Sequence, residues 1–120
     1  MASEKRTSVS FSVVVGGVTL GISASKNEDL SGTNAQGQIQ TIPTAWTAVD
    51  VSLLASVDLI CVRNNDATNY VQLAIANDGT KIFGRLLPGR ACYLPLEVGA
   101  VLYAKANTAS CDLQVVAVEP

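Results

Sequence analysis

The chain of 120 residues carries ten carboxylates and three cysteines, but no histidine. Without histidine, the Ser-His and Cys-His pairs of nucleophilic catalysis cannot be built. The carboxylates are scattered, mostly beside turn residues: Asp29, Asp50, Asp66, Asp78 and Glu97. A glycosidase needs two carboxyl groups meeting across one bond, and nothing in the spacing predicts such a pair. Neither a P-loop nor a dinucleotide-binding glycine fingerprint is present. Cys61, Cys92 and Cys111 are odd in number, widely spaced and free of any CxxC pairing. A structural zinc site asks for four closely grouped ligands. The three therefore read as free thiols of a reducing compartment, with a single disulfide between two of them left open.

Two further clusters have chemical potential. In "RNNDATN" (63–69), Asp66 with Asn64, Asn65 and Asn69 offers oxygens suited to Ca²⁺. The EF-hand spacing and its closing Glu are missing, and Asx residues also form turns, which is the reading preferred here. Lys81, Arg85 and Arg90 fall around one expected hairpin and have the charge to meet a phosphate or an acidic partner. Phe83 and Tyr93 nearby do not make a stacking series, so these cations read as a solvated face. The expectation is a protein with no catalytic residue, no metal site and no cofactor, and not an enzyme.

The elements that would position these residues are strands. Apolar and polar residues alternate with period two along most of the chain. "SVSFSVVVGGVTLGIS" (8–23) predicts a hairpin turning at Gly16-Gly17, which supply the positive φ angles of a two-residue turn. This register sets Val15 opposite Val18, Val13 opposite Leu20, Phe11 opposite Ile22 and Val9 opposite Ala24. These apolar residues, Val9 through Ile22, are expected in the domain core. The second face holds Ser10, Ser12, Val14, Thr19, Gly21 and Ser23, without a charge. That face is expected at a subunit interface, with its small side chains allowing close approach, together with Lys5 and Arg6 of an N-terminal arm over 1–8.

The polar stretch "SKNEDLSGTNAQGQIQ" (25–40) reads as a long exposed loop or an arm over a neighbour. Strands are expected within 38–51, 57–64, 69–77, 80–87, 90–96, 100–106 and 112–119, and a helical turn only within 47–56. Trp46, the sole tryptophan, is expected to pack in the core. The predicted fold is all-β: a single domain over 1–120, an antiparallel β-sandwich or jelly-roll-like barrel of about eight or nine short strands.

Composition narrows the partners. Charged residues make up 15% of the chain, against about 25% in an ordinary domain. This fits a surface much of which is covered by other copies or partners. The net charge of -2 gives no basic footprint for nucleic acid. No apolar run has the length of a membrane helix, and "MASEKRTS" lacks the apolar core of a signal peptide. Neither a nucleic acid nor a membrane is expected as partner, and a cytoplasm is expected as the place of synthesis and assembly.

The second half carries a further pattern. "DLICVRNNDATNYVQLAI", "GRLLPGRACYLPL" and "LYAKANTASCDLQVVAVE" resemble small structural proteins of tailed bacteriophages. The shared segments are Asn64 to Val71, Leu87 to Gly89, Leu94 to Leu96 and Leu102 to Ala109. The resemblance implies a β-sandwich virion protein: a head decoration (cement) protein, a head-tail neck protein or a tail component. Its implied partners are sister copies and the major capsid protein or other virion proteins. A decoration protein is the favoured expectation, a neck or tail adaptor the alternative, and a glycan- or receptor-binding module a further one.

Overall fold

The computed structural model describes residues 4–29, 34–97 and 99–120. The chain divides into two compact units, Met1–Thr33 and Asn34–Pro120, where the sequence had suggested one domain.

The first unit is a single long hairpin. Strands β1 (Glu4–Val15) and β2 (Val18–Asp29) pair antiparallel over twelve residues each. Gly16 and Gly17 have φ of 59° and 80°, and this double positive φ matches the turn to the twist of the strands. Every pairing expected from the sequence is present, from Val15↔Val18 to Val9↔Ala24, and the ladder continues to Glu4↔Asp29. Residues 4–8, expected as an arm, are therefore strand, and so are residues 25–29 of the expected loop. Residues 1–3 and 30–33 lie outside the described residues.

The second unit holds eight strands: β3 (Ala35–Ile42), β4 (Thr47–Ala48), β5 (Leu59–Asn64), β6 (Val71–Ala74), β7 (Ile82–Leu86), β8 (Ala91–Pro95), β9 (Tyr103–Ala106) and β10 (Cys111–Val118). They form two four-stranded antiparallel sheets, ordered β3-β10-β5-β8 and β4-β9-β6-β7. The chain switches sheet at every connection except β6 to β7. Alternation does the rest: in β10, Cys111, Leu113, Val115 and Ala117 are buried, and the residues between them are not. They pack with Ile42, Ile60 and Val62 of the same sheet, and with Val71, Leu73, Leu86, Ala104 and Ala106 of the other. The unit is thus all-β and sandwich-like, with one apolar core. A bulge at Leu73/Ala74 breaks the alternation of β6. Ala74 is buried beside Leu73, and Ile75, which strict alternation would set on one face with the buried Val71 and Leu73, is exposed.

The expected loop 25–40 also ends in strand, since 35–40 belong to β3. Polarity misled because Gln36, Gln38 and Gln40 act as hydrogen-bonding arms for an irregular segment. Gln36 and Gln38 donate to the Asp50 carbonyl at 3.2 and 2.9 Å, and Gln40 donates to that of Ala48 at 3.1 Å. In return Gln40 accepts from the Asp50 amide and Gln36 from the Leu53 amide. Residues 47–56 make the short strand β4 and turns in place of the expected helical turn. Trp46 is half-buried, with its indole Nε1 beside Gly79, where an added Cβ would lie 3.1 Å away. Gly79 has φ of 78°, so both backbone and space require glycine there.

Candidate functional site: an uncovered hairpin

The residues singled out for an interface all lie on the hairpin. Residues directly opposite each other in an antiparallel pair share a face. Ser10, Ser12 and Val14 thus lie on one face with Ser23, Gly21 and Thr19. All six are exposed. The smallness of Gly21 has an internal cause: an added Cβ would lie 2.8 Å from the Phe11 carbonyl oxygen. The hairpin's own backbone, rather than a neighbouring subunit, requires that glycine.

The other face corrects the sequence reading. Phe11, Val13, Val15, Val18, Leu20 and Ile22 were expected in the domain core. They are 64%, 39%, 67%, 59%, 62% and 72% exposed. The core cluster of the second unit is drawn entirely from that unit's own residues. Burying a Val, Leu, Ile or Phe side chain fully is worth about 1.5–3 kcal/mol. The six together hold a potential on the order of 10 kcal/mol that the single chain leaves unused. Two-stranded hairpins are at best marginal in water on their own, and a long apolar edge strand invites pairing with another chain.

Charge is confined to the open end. Arg6 is exposed, and its Nε donates to Glu4 Oε1 at 3.0 Å. The Lys5 side chain is mostly buried, with Nζ 3.9 Å from Glu28, which Lys26 also approaches at 3.9 Å. From Thr7 to Ser25 there is no charge at all. A shallow depression of about 260 Å³ runs along the face, lined by Ser8, Ser10, Ser23 and Ser25 with Val9 and Ala24. Its lining offers hydroxyls but no carboxylate, thiol or cation.

The motif residues of the second unit meet at one end of the two sheets, where they tie backbone together. The fully buried Asn64 donates through Nδ2 to the carbonyls of Asn69 (2.8 Å) and Leu86 (2.9 Å), and its Oδ1 accepts from the Asp66 amide at 2.9 Å. Asp66 accepts from the amides of Asn69 (2.6 Å) and Thr68 (2.9 Å). Those two bonds, that of Asn69 foremost, hold its carboxyl below the ordinary range. Asn107 accepts from the Tyr70 amide and Thr108 donates to Asn69 Oδ1. The oxygens of this loop thus serve turns. No group of three or more His, Cys, Asp or Glu that could hold a metal ion occurs among the described residues. Of the three cations around the β7–β8 turn, Arg85 lies 5.1 Å from the Tyr70 ring centroid, and the Arg90 carbonyl accepts from the Asn64 amide.

The three cysteines are free. Cys61 pairs with Tyr93 and Val62 with Cys92, so Cys61 and Cys92 occupy opposite faces of their sheet and cannot bridge. Burial first, then the nearby Cys61, raises the Cys92 thiol. Burial, with Asp66 and Asp112, raises that of Cys111. Maleimide labelling of the folded chain is expected to modify Cys61 first, Cys92 slowly and Cys111 only on unfolding. Mass mapping of partly labelled protein checks that order, and early labelling of Cys111 would contradict the buried position.

Sequence reasoning missed the uncovered apolar face because alternation shows that a strand has an apolar side without showing what lies against it. It also missed the glutamine ladder, whose only signal was the Gln-x-Gln-x-Gln spacing at 36–40. No protein-family model, curated protein or solved structure matches this chain.

Proposed function

We propose that the chain is a non-enzymatic, multi-copy structural protein of a virion, in the manner of a capsid decoration or cement protein, which stabilises a shell through subunit contacts. The observation that carries the reading is the exposed apolar face of the hairpin, flanked by a strand pair without charge from Thr7 to Ser25. A surface of this kind costs solubility unless a partner occupies it. Sister copies and a major capsid or other virion protein are the partners this reading names, and the assembled particle is its location.

Two observations support it. The sheet orders β3-β10-β5-β8 and β4-β9-β6-β7, with the chain crossing between sheets at nearly every connection, fit a jelly roll of two Greek keys. That architecture recurs in viral capsid domains, and also in lectins and cupins, so it supports the reading by analogy of fold alone. The segments that resemble phage structural proteins contribute buried strands and the hydrogen-bonded turns around Asn64, in keeping with a shared scaffold rather than a shared active site.

The test is made on purified particles whose genome encodes this chain. Quantitative mass spectrometry is expected to find it at a copy number matching the shell's subunits. Particles made without it are expected to lose resistance to heat and osmotic shock. A single ring's worth of copies would favour a head-tail neck or tail adaptor, for which the same uncovered hairpin would serve. Absence from particles would overturn the virion reading altogether.

A further inference from the structure

The hairpin has features that specify its partner more closely, on the reading that the protein works in many copies. We infer that the partner of the hairpin is the hairpin of further copies of this chain. The strands of three or four copies join edge to edge and close into a small β-barrel with their apolar faces inward.

Three observations lead there. The first is the free edges. A sheet of only two strands leaves one edge of β1 and one edge of β2 without a ladder partner among the described residues, along twelve residues each. Closure into a barrel is the arrangement that removes such edges.

The second is the placement of charge. Glu4, Lys5 and Arg6 lie at the start of β1, and Lys26, Glu28 and Asp29 at the end of β2. All six are therefore at the open end of the hairpin, and the tip carries Val14, Val15 and Val18 around the glycine turn. If β1 paired antiparallel with the β1 of another copy, the charged end of each would lie beside the apolar tip of the other. Pairing β1 with the β2 of the next copy keeps all tips at one end. It also sets the strand with two cations and one carboxylate beside the strand with two carboxylates and one cation. This contact is head-to-tail, so it repeats around a ring.

The third is the contrast between faces. Arg6, Ser8, Ser10, Ser12, Ser23 and Asn27 lie on a face that water can solvate. Phe11, Val13, Leu20 and Ile22 lie on the face that water cannot. Facing inward, they form a core. Three or four copies supply six or eight strands, and a barrel of about eight strands has an interior just wide enough for side chains to fill. A much larger ring would leave a lumen lined by unsatisfied apolar surface. A membrane is the less favoured occupant. The apolar alternation runs only from Val9 to Val15 and from Val18 to Ala24, short of the roughly 9–11 residues of a membrane-spanning strand.

The test is native mass spectrometry and size exclusion with light scattering on the full chain. The expected species has three or four times the 12.5 kDa chain mass. Leu20→Glu and Phe11→Glu, on the apolar face, are expected to give monomer. Ser10→Lys, on the outer face, is expected to keep the oligomer. Fluorescence of Trp46, which lies in the second unit, verifies that each variant keeps that unit folded.

A wild-type monomer at all concentrations would overturn the inference. So would an oligomer that survives Leu20→Glu but is lost in Ser10→Lys, a ring of six or more copies, or co-sedimentation of the chain with neutral phosphatidylcholine vesicles. A monomer that still enters particles would sink the barrel and leave the virion reading standing. A trimer or tetramer that never enters particles would do the reverse.

Discussion

Replacing Asn64 with Leu is expected to lower the unfolding free energy by about 4 kcal/mol. The side chain is fully buried and has no unmet polar atom: Nδ2 serves two carbonyls and Oδ1 one amide. Leucine keeps the branched four-atom skeleton of the side chain but has bulkier methyl groups, so some overpacking adds to the loss of hydrogen bonds. The carbonyls of Asn69 and Leu86 and the amide of Asp66 would lose their Asn64 partner, and a buried polar group left unpaired costs about 1–3 kcal/mol. The backbone of Asn64 adds further ties, its amide to the Arg90 carbonyl at 2.9 Å and its carbonyl to the Gly89 amide at 3.0 Å. One residue therefore joins the ends of β5, β7 and β8 to the turn that precedes β6. Asn64→Asp is expected to be at least as costly, because it replaces the donor to two carbonyls by a buried acceptor that carries charge. Urea unfolding followed by Trp46 fluorescence measures both variants. A loss below about 1 kcal/mol for the leucine variant, within the range of ordinary surface changes, would show that the network is not the tie described here.

Removing residues 1–33 is expected to separate assembly from folding. Every residue of the apolar core lies between Ile42 and Ala117, and the two sheets of the second unit use only strands from β3 onward. The shortened chain is therefore expected to fold, with a thermal midpoint within a few degrees of the full chain. It is also expected to be more soluble, because the six largely exposed apolar side chains on one face of the hairpin leave with it. On the virion role proposed above, incorporation into particles is expected to vanish as well, because the hairpin proposed as the contact surface is gone. Circular dichroism, the midpoint and a particle-binding assay read the three outcomes. Unfolding of the shortened chain would mean that the hairpin contributes to the second unit's stability. Retained incorporation would move the assembly contact to the second unit, where Ile39, Val116 and Tyr93 are exposed on the sheet that contains β3, β10, β5 and β8.

Much of the fold was legible because strands declare themselves locally. Glycine at 16 and 17 and the alternation on either side were enough to place the pairs of the first hairpin from Val15↔Val18 to Val9↔Ala24, since a slip of one residue mixes apolar with polar on both faces. The strands β5 to β10 of the second unit also fell, to within a residue, where alternation and turn residues put them. Errors arose where a side chain's partner is remote in sequence. Gln36, Gln38 and Gln40 look like loop residues until the backbone of 48–53 is seen against them. Ile75 looks like a core residue until the bulge at Leu73/Ala74 breaks the alternation ahead of it. Asn64 looks like one turn-forming Asn among several, and only the fold brings the Leu86 carbonyl to its side chain.

The sequence by itself determined that this is a β protein, where its turns lie, and which side chains share a face of the first hairpin. Those properties depend on φ preferences and on the two-residue period of a strand, both local. It also determined that the pair from Thr7 to Ser25 has no charge. Only the tertiary structure decided what lies against each face, because burial depends on how distant strands meet. The second unit closes its core from β3 to β10, and Phe11, Val13, Val15, Val18, Leu20 and Ile22 of the hairpin are left exposed. The face expected to be internal is therefore exposed, as the serine face opposite is, because what covers a strand is set by its neighbours in space and not by its own alternation.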